Sequence, residues 1–198
     1  MKTLTLEWNA VITWETPGRV GRESLGKLIA LHGKRIDVGI VTTAASENTS
    51  LRKLPETADA FDDRLSRIGW SHLTKVLTAC EFDLTYFDYC FFTPNDYEEI
   101  VSELWELILP ANIPYEATDF ARERGIDSIH KITSDSYQKW RNKWCDVHSL
   151  YAHLMADRDI FVSGDIKNFK GDRRGRLADL GIKSICTYDE ALEEAVSH

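Results

Sequence analysis

No stretch of the 198-residue chain approaches the roughly 20 consecutive apolar residues that a membrane-spanning helix needs. The opening stretch, MKTLTLEWNAVITWE, also lacks a secretory leader's pattern, because Glu7 and Asn9 break its apolar run and no small-residue cleavage site follows. These two absences predict a cytoplasmic protein with no membrane partner. Cysteine is scarce. Cys80, Cys90, Cys145 and Cys186 form no C-x-x-C pair and have no histidine spacing suited to zinc. In the cytoplasm they are expected to be reduced thiols in or near the core. Positive charge is short as well: 24 Lys and Arg against 32 Asp and Glu leave a formal net charge of −8. That balance argues against coating nucleic acid indiscriminately, while leaving room for a local basic patch that grips a short length of backbone. Internal repeats, low-complexity tracts and flexible linkers are missing too.

What is present suits a soluble, folded chain. Hydrophobic residues make up 43% and charged residues 28%, and the length is one that a single domain, 1–198, can fill. Residues 3–12 begin with alternating Leu4 and Leu6 against Thr3 and Thr5, which predicts a strand. A helix follows, with Leu25, Leu28, Ile29 and His32 on one face and Gly33 closing it. IDVGIVTT is a second, β-branched strand leading into the polar loop AASENTSLRKLPET.

The segment of about 51–136 is an elaborated middle. Ala58, Phe61, Leu65 and Ile68 have helical spacing, and EFDLTYFDYCFF alternates enough for a strand. TPNDYEEIVSELWELILP is the strongest helix, with Thr93 as N-cap, Pro94 in the first turn and Pro110 as the stop. The last quarter predicts a helix over about 137–156, the strand DIFVS, a basic turn, a short helix, the strand IKSICTY and a terminal helix. Strands alternating with helices at both ends predict a three-layer α/β/α fold around a mainly parallel sheet.

In such a sheet ligands gather beyond the carboxyl ends of the strands. Glu7 and Asn9 stand where the first strand exits, Glu47 follows the second, and Asp165 follows Ser163 at the end of the late strand. The helix before that strand begins close to Asp146, which could serve as its N-cap, with Ser149 or Leu150 and then His153 at three- and four-residue steps. Two carboxylates about 4 Å apart repel by roughly 1 kcal/mol in water and about 4 kcal/mol at an effective dielectric of 20, so a cluster of them calls for a cation. Hard oxygen ligands without His or Cys suit Mg²⁺ or Mn²⁺. Such an ion activates water and draws in phosphate oxygens, which makes phosphodiester hydrolysis the natural chemistry. A phosphatase with an Asp nucleophile would need D-x-D after the first strand, and EWN stands there instead.

DVHSLYAHLMADRDIFVSGDIKNF resembles the C-terminal half of a PIN domain, in which a helical Asp precedes a strand ending in Thr/Ser-x-Asp with a Phe nearby. Asp146 and Asp165 match the two acids, Ser163 the hydroxyl and Phe169 the aromatic. GIKSICTYDEAL continues the likeness, and LEWNAVI is similar to the family's LDTNVLI, with Glu7 in the Asp position and Asn9 in the Asn position. The resemblance covers residues 1–50 and 140–198 and implies a PIN-like, Mg²⁺- or Mn²⁺-dependent endoribonuclease. Glu7, Glu47, Asp146 and Asp165 would hold metal, with Asn9 and Ser163 completing the catalytic set. Many members are toxins of toxin–antitoxin pairs or RNA-processing enzymes, so RNA is the implied substrate, and the resemblance leaves room for an antitoxin-like partner and a homodimer. Two departures keep an alternative open. Glu7 is longer than the usual Asp, and the only second acid on offer is Glu47, in a loop; a catalytically degenerate RNA- or protein-binding module would carry the same marks.

Lys167, Lys170, Arg173, Arg174 and Arg176, against the single acid Asp172, are the expected track for an RNA backbone. The six tryptophans are expected in the core rather than as base-stacking platforms, with Trp8 the one to watch beside the site. His153 is expected to be a packing rather than a catalytic histidine.

Overall fold

A computed structural model describes residues 1–45, 58–81, 84–110, 113–125, 135–164, 169 and 172–197. In chain order the elements are β1 (Lys2–Leu6), α1 (Trp8–Glu15), α2 (Arg22–Leu31), β2 (Ile36–Val41), α3 (Ala58–Arg67), β3 (Thr74–Val76), β4 (Thr78–Ala79), β5 (Cys90–Phe91), α4 (Tyr97–Ile108), α5 (Ala117–Glu123), α6 (Asp135–Met155), β6 (Ile160–Val162), α7 (Asp172–Asp179), β7 (Ile185–Cys186) and α8 (Tyr188–Val196). Five strands form an all-parallel sheet in the order β3-β2-β1-β6-β7, and β4 pairs with β5 in a separate parallel ladder.

The three-layer α/β/α architecture follows from side-chain alternation. Ile160 and Val162 of β6 join Leu4, Leu6, Val38 and Ile40 in a core shared with α1, α2, α3 and α8. Phe161 and Ile185 face the other way, into a second core with α4, α5, α6 and α7. Burial on both faces suits the apolar run of β6 and the largely apolar β2.

Local signals decide most boundaries. Gly33 follows α2 with a φ of 72°, the left-handed conformation that ends helices. Thr187 and Glu190 form a capping box at the start of α8. The first strand stops earlier than its pattern predicts, however. WNAVI belongs to α1, with Glu7 at its N-cap, because Trp8, Ala10 and Val11 bury one helical stripe against the first core. In α4 the N-cap is Asp96 rather than Thr93. EFDLTYFDYCFF is not one strand; among its described residues it gives a single turn at Phe87–Tyr89 and the two-residue β5.

The expectation of four reduced thiols fails at one pair. Cys80 and Cys90 are joined in a disulfide, with their Cα atoms 4.9 Å apart, while Cys145 and Cys186 are buried thiols outside any disulfide. The pairing of β4 with β5 sets Thr78 opposite Cys90 and Ala79 opposite Phe91, which brings the two sulfurs together. Among the described residues no helix is long and apolar enough to cross a membrane.

Candidate functional site

The register of the central strands assembles the rim. Leu6 pairs with Val162, so the next residue of each chain segment, Glu7 and Ser163, leaves the sheet side by side. Ser163 donates its hydroxyl proton to Glu7 Oε1. The Asn9 side chain, one turn into α1, bends back so that Nδ2 also donates to Glu7 Oε1 and lies 3.5 Å from Ser163 Oγ. Both of these donors are neutral, and together they orient the carboxylate.

The Asn9 amide is itself fixed. Its Oδ1 accepts from the Tyr188 hydroxyl at 2.8 Å and from the Gly164 amide at 3.2 Å. With Oδ1 engaged on that side, Nδ2 must face Glu7. Burial pushes the Tyr188 hydroxyl well above its usual pKa and outweighs the opposing hydrogen bond with Thr13, buried on α1, so Tyr188 remains a neutral donor. Gly164 has to be small here: a Cβ would stand 3.0 Å from Tyr188 Oη and 3.3 Å from Asn9 Oδ1. Glu7, Asn9, Ser163, Gly164 and Tyr188 thus tie the exits of β1 and β6 to the start of α8. Tyr188 was missed in the sequence because it resembles an ordinary first-turn core residue of an amphipathic helix.

Asp146 lies in the middle of α6, not at its N-cap. His153 Nδ1 lies 2.9 Å from Thr5 Oγ1 on β1. Asp146, two turns earlier on the same side of the helix, is about 10 Å further along the axis. Glu7, two residues beyond Thr5, is about 7 Å further along the strand. The helix runs against the strand, so both acids reach the same rim. Ser149 Oγ, 2.8 Å from Thr43 Oγ1, and Cys145 Sγ, 3.8 Å from the Thr43 carbonyl, place this part of α6 over the exit of β2 as well. Asp146 Oδ2 accepts from Lys143 Nζ at 2.9 Å, a partly exposed pair one turn apart.

Glu47, Asp165, Lys167 and Lys170 lie outside the described residues. Among the described residues no three His, Cys, Asp or Glu side chains gather closely enough to hold a metal ion. Glu7 and Asp146 are hard-oxygen donors of the kind Mg²⁺ or Mn²⁺ takes, so the described part of the rim fits the ion chemically with two of the four expected carboxylates.

Arg173, Arg174 and Arg176 are exposed on α7, as a phosphate track requires. Arg174 donates to the Ile185 carbonyl, and Arg176 stands 3.8 Å from Glu103. Phe169 packs its ring against Phe161 of β6, with centroids 6.1 Å apart, which anchors the chain beyond the strand. Trp8 is buried with the Arg64 guanidinium 4.5 Å over its ring, so it is no platform for bases. His153 is buried and packs edge-on against Phe161. Burial, with Arg158 and Lys183 nearby, lowers its pKa to about 3.

No family model matches the chain, and a search of curated proteins finds no match.

Proposed function

We propose that this protein is a Mg²⁺- or Mn²⁺-dependent nuclease of PIN-like type that hydrolyses phosphodiester bonds, with RNA as the substrate. The reading rests on one observation above others: two neutral donors from different strand exits hold the Glu7 carboxylate at the carboxyl rim of a parallel sheet. Glu7 and Asp146, with Asp165 and Glu47, would hold the ion. Bound there, the ion would supply a water of lowered pKa and neutralise charge developing on the phosphate. Asn9 and Ser163 orient the Glu7 carboxylate, and Tyr188 holds Asn9 in the orientation that lets it do so. The α7 arginines, with Lys167 and Lys170, would align the RNA backbone by its phosphates.

A second reading, a PIN-like binding module without catalysis, is favoured by a separate observation: Lys143 already meets an oxygen of Asp146. Cleavage of mixed RNA with Mn²⁺ by wild type, Glu7→Gln and Asp146→Asn tests the first reading. Loss of about 10²-fold or more in both variants is expected; equal rates in all three proteins would remove the nuclease. Thermal unfolding separates the readings without turnover, because only the metal-binding protein gains stability as Mn²⁺ is added.

A further inference from the structure

The middle of the chain carries charge of one sign. Residues 76–121 hold ten Asp and Glu and no Lys, Arg or His. That stretch contributes −10, so with a total of −8 the remainder of the chain is +2. The acid excess therefore lies in the segment that builds β4, β5 and α4.

The two most exposed aromatic side chains described sit within that acidic segment. Phe87 is 79% exposed and Phe92 is 86% exposed. Burying an aromatic ring is worth about 1.5–3 kcal/mol, so two rings left in water mark a contact surface more readily than a packing accident. Their setting is rigid. The Cys80–Cys90 disulfide closes the loop that carries Phe87, and Phe92 follows two residues after the bridge. The Tyr97 hydroxyl on α4 donates to Glu81 beside Cys80, and it lies 2.8 Å from His148 Nε2 on α6. Thr42, at the exit of β2, donates to the Tyr89 carbonyl at 2.7 Å. The loop is thus fixed at both ends before any partner arrives, which lowers the cost of binding.

Along the chain the two rings are flanked by Asp88, Asp96, Glu98 and Glu99, all exposed. Among the described residues none of these four carboxylates is paired with a cation. Apolar anchors ringed by unneutralised acids repel a phosphate backbone and suit a cationic partner.

We infer that the surface formed by Phe87, Phe92 and the acids Asp88, Asp96, Glu98 and Glu99 docks a basic segment of a protein partner whose apolar side chains cover the two rings. This surface is independent of the proposed nuclease site and survives if that reading fails. The test uses the full chain and fluorescence anisotropy with three labelled probes: a short amphipathic peptide of leucine and arginine, a leucine–glutamate peptide of the same length, and oligouridine. The arginine peptide is expected to bind, and to bind more weakly as salt rises, while the glutamate peptide does not. Phe87→Ser with Phe92→Ser, and separately Asp88→Asn with Glu98→Gln and Glu99→Gln, should each weaken it by about tenfold or more, the charge variant also flattening the salt dependence. All the altered side chains are exposed, so wild-type melting temperatures are expected and serve as the folding control. Absence of arginine-peptide binding, or unchanged binding in both variants, would overturn the proposal. Oligouridine binding that these substitutions weaken would assign the surface to nucleic acid instead. Self-association abolished by the Phe87→Ser, Phe92→Ser pair would assign it to a second copy of the chain; either result overturns the inference.

Discussion

Asn9 is the residue on which the arrangement of the rim turns. An amide has two distinguishable ends, and Tyr188 and Gly164 both occupy the oxygen end. Tyr188→Phe removes the stronger of these restraints and should cost about 0.5–1.5 kcal/mol of stability. If Asn9 orients Glu7 for catalysis, kcat should also fall about tenfold with KM nearly unchanged, whereas a purely structural role would lower the melting temperature alone. Arg141 on α6 poses the opposite problem. It is 1% exposed, and among the described residues its Nε and Nη1 have no hydrogen-bond partner. A buried cation without a partner is a cost, so Arg141→Met should raise the free energy of unfolding by about 1–3 kcal/mol in urea titrations. A loss instead would mean that an anion accompanies the guanidinium in solution.

The helix α6 packs between α4 and the sheet, and two of its histidines mark these contacts, His148 with Tyr97 of α4 and His153 with Thr5 of β1. His148 and His153 are both buried, and burial lowers each pKa from 6.5 to about 3. In the folded chain they are neutral, while in the unfolded chain they titrate near 6.5. Their contribution is complete above that pH and is lost as pH falls from 6.5 towards 3, at up to about 1.4 kcal/mol per pH unit for each histidine. Urea titrations across the interval should show this slope, and His153→Asn should reduce it by about half. The β4–β5 ladder depends on a covalent tie instead. Cys80→Ser with Cys90→Ser should cost about 2–3 kcal/mol, and adding reductant should destabilise the wild type but not the variant.

The whole molecule divides into two cores on opposite faces of one sheet, and the rim between them takes residues from both sides. Glu7, Asn9 and Tyr188 come with the face that carries α1 and α8, and Asp146 with the face that carries α6. An ion held across the rim would therefore stabilise both halves together. With Mn²⁺ at about 100 times its dissociation constant the gain should be about 2.7 kcal/mol, read as a rise in melting temperature that Glu7→Gln abolishes.

The sequence alone determined the α/β class, the helices around Leu25, Phe61 and Leu104, and the late strand before Ser163. Periodicity and capping chemistry are local, and those signals were strong. It also placed Glu7, Asn9, Ser163 and Asp146 at strand exits or on the preceding helix, which follows from the rule that parallel strands end on one edge. Where β1 gave way to α1 was not legible, because WNAVI satisfies a strand pattern and a helix stripe equally. The broken strand at 81–92 and the disulfide within it depended on a two-residue ladder too short to leave a periodic trace. Only the tertiary structure decided that Tyr188 holds Asn9, that Trp8 is buried under Arg64 and that Phe87 and Phe92 face water. Those outcomes depend on which distant surfaces meet, and no spacing along the chain encodes that.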